Sequence, residues 1–215
     1  MQSKTVAVAV VFAAVAIALN AIRIPTIYWS RNFYGVSQIP VIIVFLLFGI
    51  SVGVLVGVLN WLGALALFPL GLNGVVAYSM DFISLLVMFL GLYLASKIGR
   101  YYETGVIQKR QLLSLTGITS IVRGGIMPFV DYGLLYHVFL PLFFDITLPE
   151  IVLVGMFPVF IFYNVSTVLY SIPIAYIIAK KTSKYLNIKP ALSSTSLIIS
   201  YRIAPFRKTR RGPSS

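Results

Sequence analysis

The sequence has no cysteine and a single histidine, His137. That excludes a disulfide framework, a thiolate metal site and a cysteine nucleophile, and one imidazole alone cannot build a zinc site. Acids are nearly as scarce, with five Asp and Glu in 215 residues, and all charged residues together make up 10%. A soluble domain carries about 25% charged residues. With so few, a monomer cannot cover its surface with polar groups, and a soluble globular enzyme is excluded. No G-x-S-x-G, H-E-x-x-H or G-x-x-x-x-G-K-[ST] pattern occurs, so the chain has no recognisable hydrolase, zinc-protease or ATP site.

What fills the chain instead is apolar, with 59% hydrophobic and 14% aromatic residues. An all-α integral membrane protein is the class that remains. A hydrocarbon core about 30 Å thick needs about 20 helical residues. The runs predict a first helix over 5–22, retained rather than cleaved as a signal peptide, and ended by Arg23-Ile24-Pro25. An aromatic interfacial loop follows over 23–38. Residues 39–68 are too many for one straight span, and Gly49 and Ser51 suggest a break into helices over 40–48 and 50–67. A loop holds Pro69, Gly71, Asn73 and Gly74. A fourth helix covers 75–96 and a fifth 111–128, where Pro128 ends it. Residues 129–149 read as irregular and 150–156 as a short interfacial helix. A sixth spanning helix starts near Pro158 and reaches 179. The expected architecture is a six-helix transmembrane domain over 1–182 with a basic tail over 183–215.

The net charge is +12, and its placement predicts topology. With both termini in the cytoplasm, the inner side holds Lys4, four bases between 97 and 110, and nine from Lys180 onward. The outer side holds Arg23 and Arg31. Such a bias strongly supports that orientation. The basic tail then lies against anionic lipid, and no nucleic acid is needed to explain it.

Two ionisable residues fall inside predicted helices, Asp81 and Arg123, and such residues mark function by default. At 1.5 Å per residue both lie roughly 9 Å below the outer boundary, and Asn164 reaches the same depth. Two readings stand: a structural Asp81–Arg123 ion pair with Asn164 bonding a neighbouring helix, or the polar floor of a pocket. The two are compatible. Tyr28, Trp29, Phe33 and Tyr34 either mark the membrane interface or cover a flat ligand. Ala9, Ala13, Ala14 and Ala18 form two small-x-x-x-small pairs, which suit either internal packing or close approach of a partner helix. Gly49, Gly53 and Gly57 read as close packing within the bundle.

Four stretches together resemble the S components of energy-coupling factor (ECF) vitamin transporters, most closely the riboflavin branch. They are Leu19-Asn20-Ala21-Ile22-Arg23-Ile24-Pro25, then Ser37-Gln38-Ile39-Pro40-Val41-Ile42 running into the glycine repeat, then Met80-Asp81-Phe82, then Phe157-Pro158 with Tyr163-Asn164. The resemblance implies six helices, an outer pocket and a covering loop between helices 1 and 2. It implies a vitamin ligand held by Asn164, Tyr163, Asp81 and Arg123, with Tyr28, Trp29, Phe33 and Tyr34 over it. Riboflavin is the first expectation and thiamine the alternative. It further implies that the alanine face of helix 1 docks on a transmembrane coupling protein driven by two ABC-type ATPases. No cofactor, metal or catalysis by this chain is expected. An intramembrane enzyme and a pocketless structural protein are the readings from other classes.

Overall fold

Hydrocarbon offers no water to a peptide group, so a backbone crossing it must close its own hydrogen bonds. The apolar runs do so as helices. The computed structural model describes residues 3–25, 33–68, 71–98 and 109–186. Within these lie α1 (Ser3–Leu19), α2 (Gln38–Phe48), α3 (Ile50–Leu67), α4 (Leu72–Ile98) and α5 (Lys109–Val130). A π-helical segment (Asp131–Phe139), α6 (Leu140–Phe144) and α7 (Glu150–Leu186) complete the order. Between α1 and α2, β1 (Arg23–Pro25) pairs antiparallel with β2 (Phe33–Gly35), Ile24 opposite Tyr34. Among the described residues, four helical stretches are long and apolar enough to cross a membrane: α3, α4, α5 with its continuation to Phe144, and α7. The expected all-helical class is thus present, with helices that could span a membrane. Residues 187–215, most of the expected tail, lie outside the described residues, and α7 runs past the expected boundary at 182.

The break at Gly49 falls where expected. Its φ of 90° ends α2 and starts α3, a backbone conformation that a Cβ would strain. The glycine repeat then packs closely. A Cβ on Gly53 would stand 2.9 Å from that of Phe45, and one on Gly57 would stand 3.0 Å from Leu85 of α4. Helix α2 is apolar all round, and Val41 to Leu47 are all buried. A helix with no polar face has to be surrounded, and α1, α3, α4 and α7 pack around this one. Phe45 stacks on Phe89 of α4 at 4.7 Å.

Several boundaries differ from expectation: α1 ends at Leu19 rather than 22, before the expected stop at Arg23-Ile24-Pro25, and α7 reaches Leu186 rather than 179. Helix α4 starts at Leu72, taking in Asn73 and Gly74. Pro128 does not end α5; the helix continues through wide π turns into α6. Pro158 does not start the last helix but lies inside α7, which also absorbs the expected interfacial helix over 150–156. In each proline case one i→i−4 bond is lost, a cost that tertiary contacts offset. Phe157 packs edge-on against Phe129 at 5.5 Å and lies 5.7 Å from Tyr132, while Leu153 is buried. Prolines are tolerated in membrane helices where neighbours support the backbone. The result is a long antiparallel pair, α5 to α6 against α7, turned by residues 145–149.

Candidate functional site

A guanidinium inside a membrane requires an acceptor for nearly every N–H, because each unpaired one costs several kcal/mol in hydrocarbon. Arg123, halfway along the α5–α6 stretch, is 1% exposed. Its Nε donates to Asn164 Oδ1 of α7 at 3.1 Å. One terminal nitrogen donates to Gln38 Oε1 at 3.0 Å, at the start of α2, and lies 4.0 Å from the Met88 sulfur. The other donates to Ser84 Oγ of α4 at 3.2 Å. Four helices therefore converge on one cation, through neutral acceptors.

The acceptors are themselves held. Ser84 Oγ donates to the Asp81 carbonyl at 2.9 Å and receives Gln38 Nε2 at 3.4 Å. Asn164 Nδ2 donates to Phe160 O at 3.0 Å. Each oxygen facing Arg123 is fixed by a second bond, so the guanidinium cannot shift without disturbing three helices. The carboxylates of Asp81 and Asp131 and the rings of Tyr163 and Tyr170 lie within electrostatic reach of it.

The expected residues fall as follows. Arg123 and Asn164 meet directly. Asp81 is not among the hydrogen-bond acceptors of Arg123; it is exposed and lines a separate cleft. The structural reason is register: Ser84, one turn deeper on the same face of α4, occupies the position beside the guanidinium. Ser84 lies twelve residues from Leu72, the start of α4, about 18 Å along that helix. Tyr163 is half-buried next to Asn164. Tyr28 and Trp29 lie outside the described residues, and Phe33 and Tyr34 belong to β2.

Gln38, Ser84 and Asp131 are not among the expected site residues. Gln38 falls at the end of the aromatic loop expected over 23–38, and Asp131 falls in the stretch expected to be irregular after Pro128. Ser84 left a usable signal: it is the hydroxyl three residues after Asp81 in an otherwise apolar helix. The π segment spaces Asp131 and Tyr136 one wide turn apart. Tyr136 stacks on Phe160 at 5.5 Å, and Phe157, Phe160 and Tyr132 continue an aromatic wall.

A narrow cleft on the α1–α3–α4 side, with a cavity volume of only about 20 Å³, is lined by Asn20, Ser37, Asn60, Trp61 and Asp81 among others. Asn20 Nδ2 donates to Asn60 Oδ1 at 2.8 Å. Gln38 borders both the cleft and the Arg123 centre. Among the described residues no three of His, Asp and Glu gather as a metal-ligand set.

The alanine pairs of α1 separate. Ala9 and Ala13 are 3% and 4% exposed and packed inside the chain's own core, with Ala16. Ala14 and Ala18 are exposed, beside Val10, Val11 and Val15. The four alanines do not share a face. Ala9 and Ala13 are already occupied by internal packing.

No family model matches this chain, and no curated protein sequence matches it.

Proposed function

We propose that this chain is a substrate-capture subunit of the ECF type. It takes a small, largely planar vitamin, riboflavin first, from the outer side of the cell membrane and performs no chemistry on it. Separate coupling and ATPase subunits drive the transport. In this reading six helices cross the membrane and both termini are cytoplasmic. The observation that carries it is the convergence of α2, α4, α5 and α7 on the buried Arg123 and Asn164 among apolar helices, where polar groups are expensive. Apolar and aromatic walls with a few convergent polar groups are the usual make-up of a small-molecule site. The exposed face of Ala14 and Ala18 is the surface left open on α1 for a coupling protein.

A second reading, thiamine, is favoured by one specific feature. Two carboxylates, Asp81 and Asp131, stand within electrostatic reach of a single guanidinium, a balance that suits a cationic ligand.

The test is the absorption spectrum of the purified protein, followed by titration with riboflavin and with thiamine. A co-purifying flavin colours the protein yellow. Asn164→Ala should weaken binding of the vitamin that binds by roughly 1–3 kcal/mol, because a polar edge of the ligand is left unpaired. No bound flavin and no saturable binding of either vitamin would overturn the proposal.

A further inference from the structure

A hydroxyl inside an apolar bundle is costly unless it is paired. Among the described residues, five of the seven buried Ser and Thr side chains lie on two helices: Thr116, Thr119 and Ser120 on α5, Thr167 and Ser171 on α7. Steps of three and four residues put the first three on one face of α5 with Arg123. The same steps put Thr167 and Ser171 on one face of α7 with Asn164.

The two faces meet in register. Arg123 bonds Asn164 at 3.1 Å, Phe129 packs against Phe157 at 5.5 Å, and a Cβ on Gly124 would stand 2.7 Å from Val165 Cγ2. The helices are antiparallel, so each step toward the start of α5 is a step along α7. Three residues on from the Arg123–Asn164 pair, Ser120 comes level with Thr167. Four further on, Thr116 comes level with Ser171.

A Ser or Thr in a membrane helix can return its proton to a carbonyl one turn back. Thr167 does so to Tyr163 O at 2.8 Å, and Ser171 to Thr167 O at 2.6 Å. Their oxygens keep lone pairs for another donor. The hydroxyls of Thr116, Thr119 and Ser120 do not: each is buried with no hydrogen-bond partner among the described residues. Donors on α5 and acceptors on α7 thus share two levels without closing on each other. Water bridges groups so placed. A water that accepts from Ser120 and donates to Thr167 has two of the roughly two to four polar partners that a buried water needs.

We propose that α5 and α7 enclose a file of water that joins the Arg123 centre to the end of the bundle where α5 begins. Thr116 is the hydroxyl nearest that end, seven residues from Lys109, or about 10 Å along the helix. A polar ligand leaving Arg123 then has a wet track toward the inner side; that consequence rests on the capture reading above, and the water file does not.

The chain has no cysteine, so single thiols report on the seam. Thr119→Cys and Ser120→Cys place a thiol in the file. Leu115→Cys and Ile172→Cys are the references, at apolar residues as fully buried as Thr119. The purified full-length protein, without vitamin, is exposed to silver ion, quenched and unfolded, and the surviving thiols are counted. The seam thiols should be lost roughly ten-fold or more faster than both references, because the thiolate that binds silver forms where water reaches it. Equal rates in all four overturn the proposal, since a dry seam and a general opening of the bundle both give that result. Thr116→Leu in the Ser120→Cys background plugs the file between the thiol and the start of α5, and should slow the loss by a similar factor. An unchanged rate there overturns entry from that end. If the cysteine variants do not fold, Thr116→Val and Ser120→Ala decide by sign. A dry, unpaired hydroxyl is a cost, and removing it raises the thermal midpoint. A hydroxyl paired with water stabilises, and removing it lowers the midpoint. A lower midpoint is expected, and a higher one overturns the water file. Riboflavin and thiamine titrations report separately on the capture reading and leave this result untouched.

Discussion

Replacing Arg123 by methionine removes the charge but leaves its acceptors in place. Asn164 Oδ1, Gln38 Oε1 and Ser84 Oγ then face an apolar side chain inside the bundle. Two terms oppose one another. The mutant no longer keeps a guanidinium out of water, a desolvation cost of several kcal/mol. It also loses three inter-helix bonds and orphans their partners. Neutral inter-helix bonds in membranes average only about 0.6 kcal/mol, which sets a floor near 2 kcal/mol for three of them. Bonds to a charged group run about 1.5–3 kcal/mol each, and leaving a buried neutral acceptor unpaired costs about 1–3 kcal/mol. Orphaning wins, because the acceptors are fixed by second bonds and cannot turn to new partners. The expected loss is about 3 kcal/mol, or a fall of about 6–12 °C in thermal midpoint for a chain of this length. The assay is thermal unfolding of the purified protein in detergent. The triple variant Arg123→Met, Asn164→Leu, Gln38→Leu removes two of the three orphans, leaving Ser84 with its bond to the Asp81 carbonyl, and should recover much of the loss. An Arg123→Met protein that melts with the wild type would refute the reasoning. So would a triple variant less stable than the single one.

Gly91 and Gly117 should respond in opposite ways to alanine. At Gly91 the new Cβ would stand 2.9 Å from the Thr119 backbone of α5, while at Gly117 nothing lies within 4 Å; Gly91→Ala should cost about 1–3 kcal/mol and Gly117→Ala should gain up to about 1 kcal/mol, both read by thermal midpoint. Ala9→Trp should impair folding because Ala9 is packed in the core, whereas Ala14→Trp should fold and bind normally but abolish uptake in cells supplied with the motor subunits; normal uptake would remove that face as a docking surface. In a chain without cysteine, single cysteines at Ser30 and Ser183 place the loops: an impermeant thiol reagent should label Ser30→Cys in intact cells and spare Ser183→Cys, and the reverse pattern would invert the topology.

Much of the bundle is legible in the sequence because hydrocarbon imposes a local rule. Each apolar run has to satisfy its own backbone, so long helices and their order follow from composition. Gly49 is legible too, since its break depends on one backbone conformation. The same holds for the link between Arg123 and Asn164: polar groups are so rare here that two at matched depth have few other partners. The misplaced boundaries arise from prolines. A proline removes one hydrogen bond wherever it stands, but Pro128 and Pro158 lie where aromatic contacts between α5, the π segment and α7 offset that loss. Those contacts join residues far apart in sequence, and no local window contains them. The placement of Ser84 rather than Asp81 beside the guanidinium follows from the rotation of α4 against α5. The division of the α1 alanines into a packed and an exposed pair follows likewise from which side of α1 meets α2 and α3. Composition determined that this chain is a set of apolar helices with a few costly polar groups; the packing of those helices decided which polar groups meet, because rotation about a helix axis leaves the hydrophobic pattern of an all-round apolar helix unchanged.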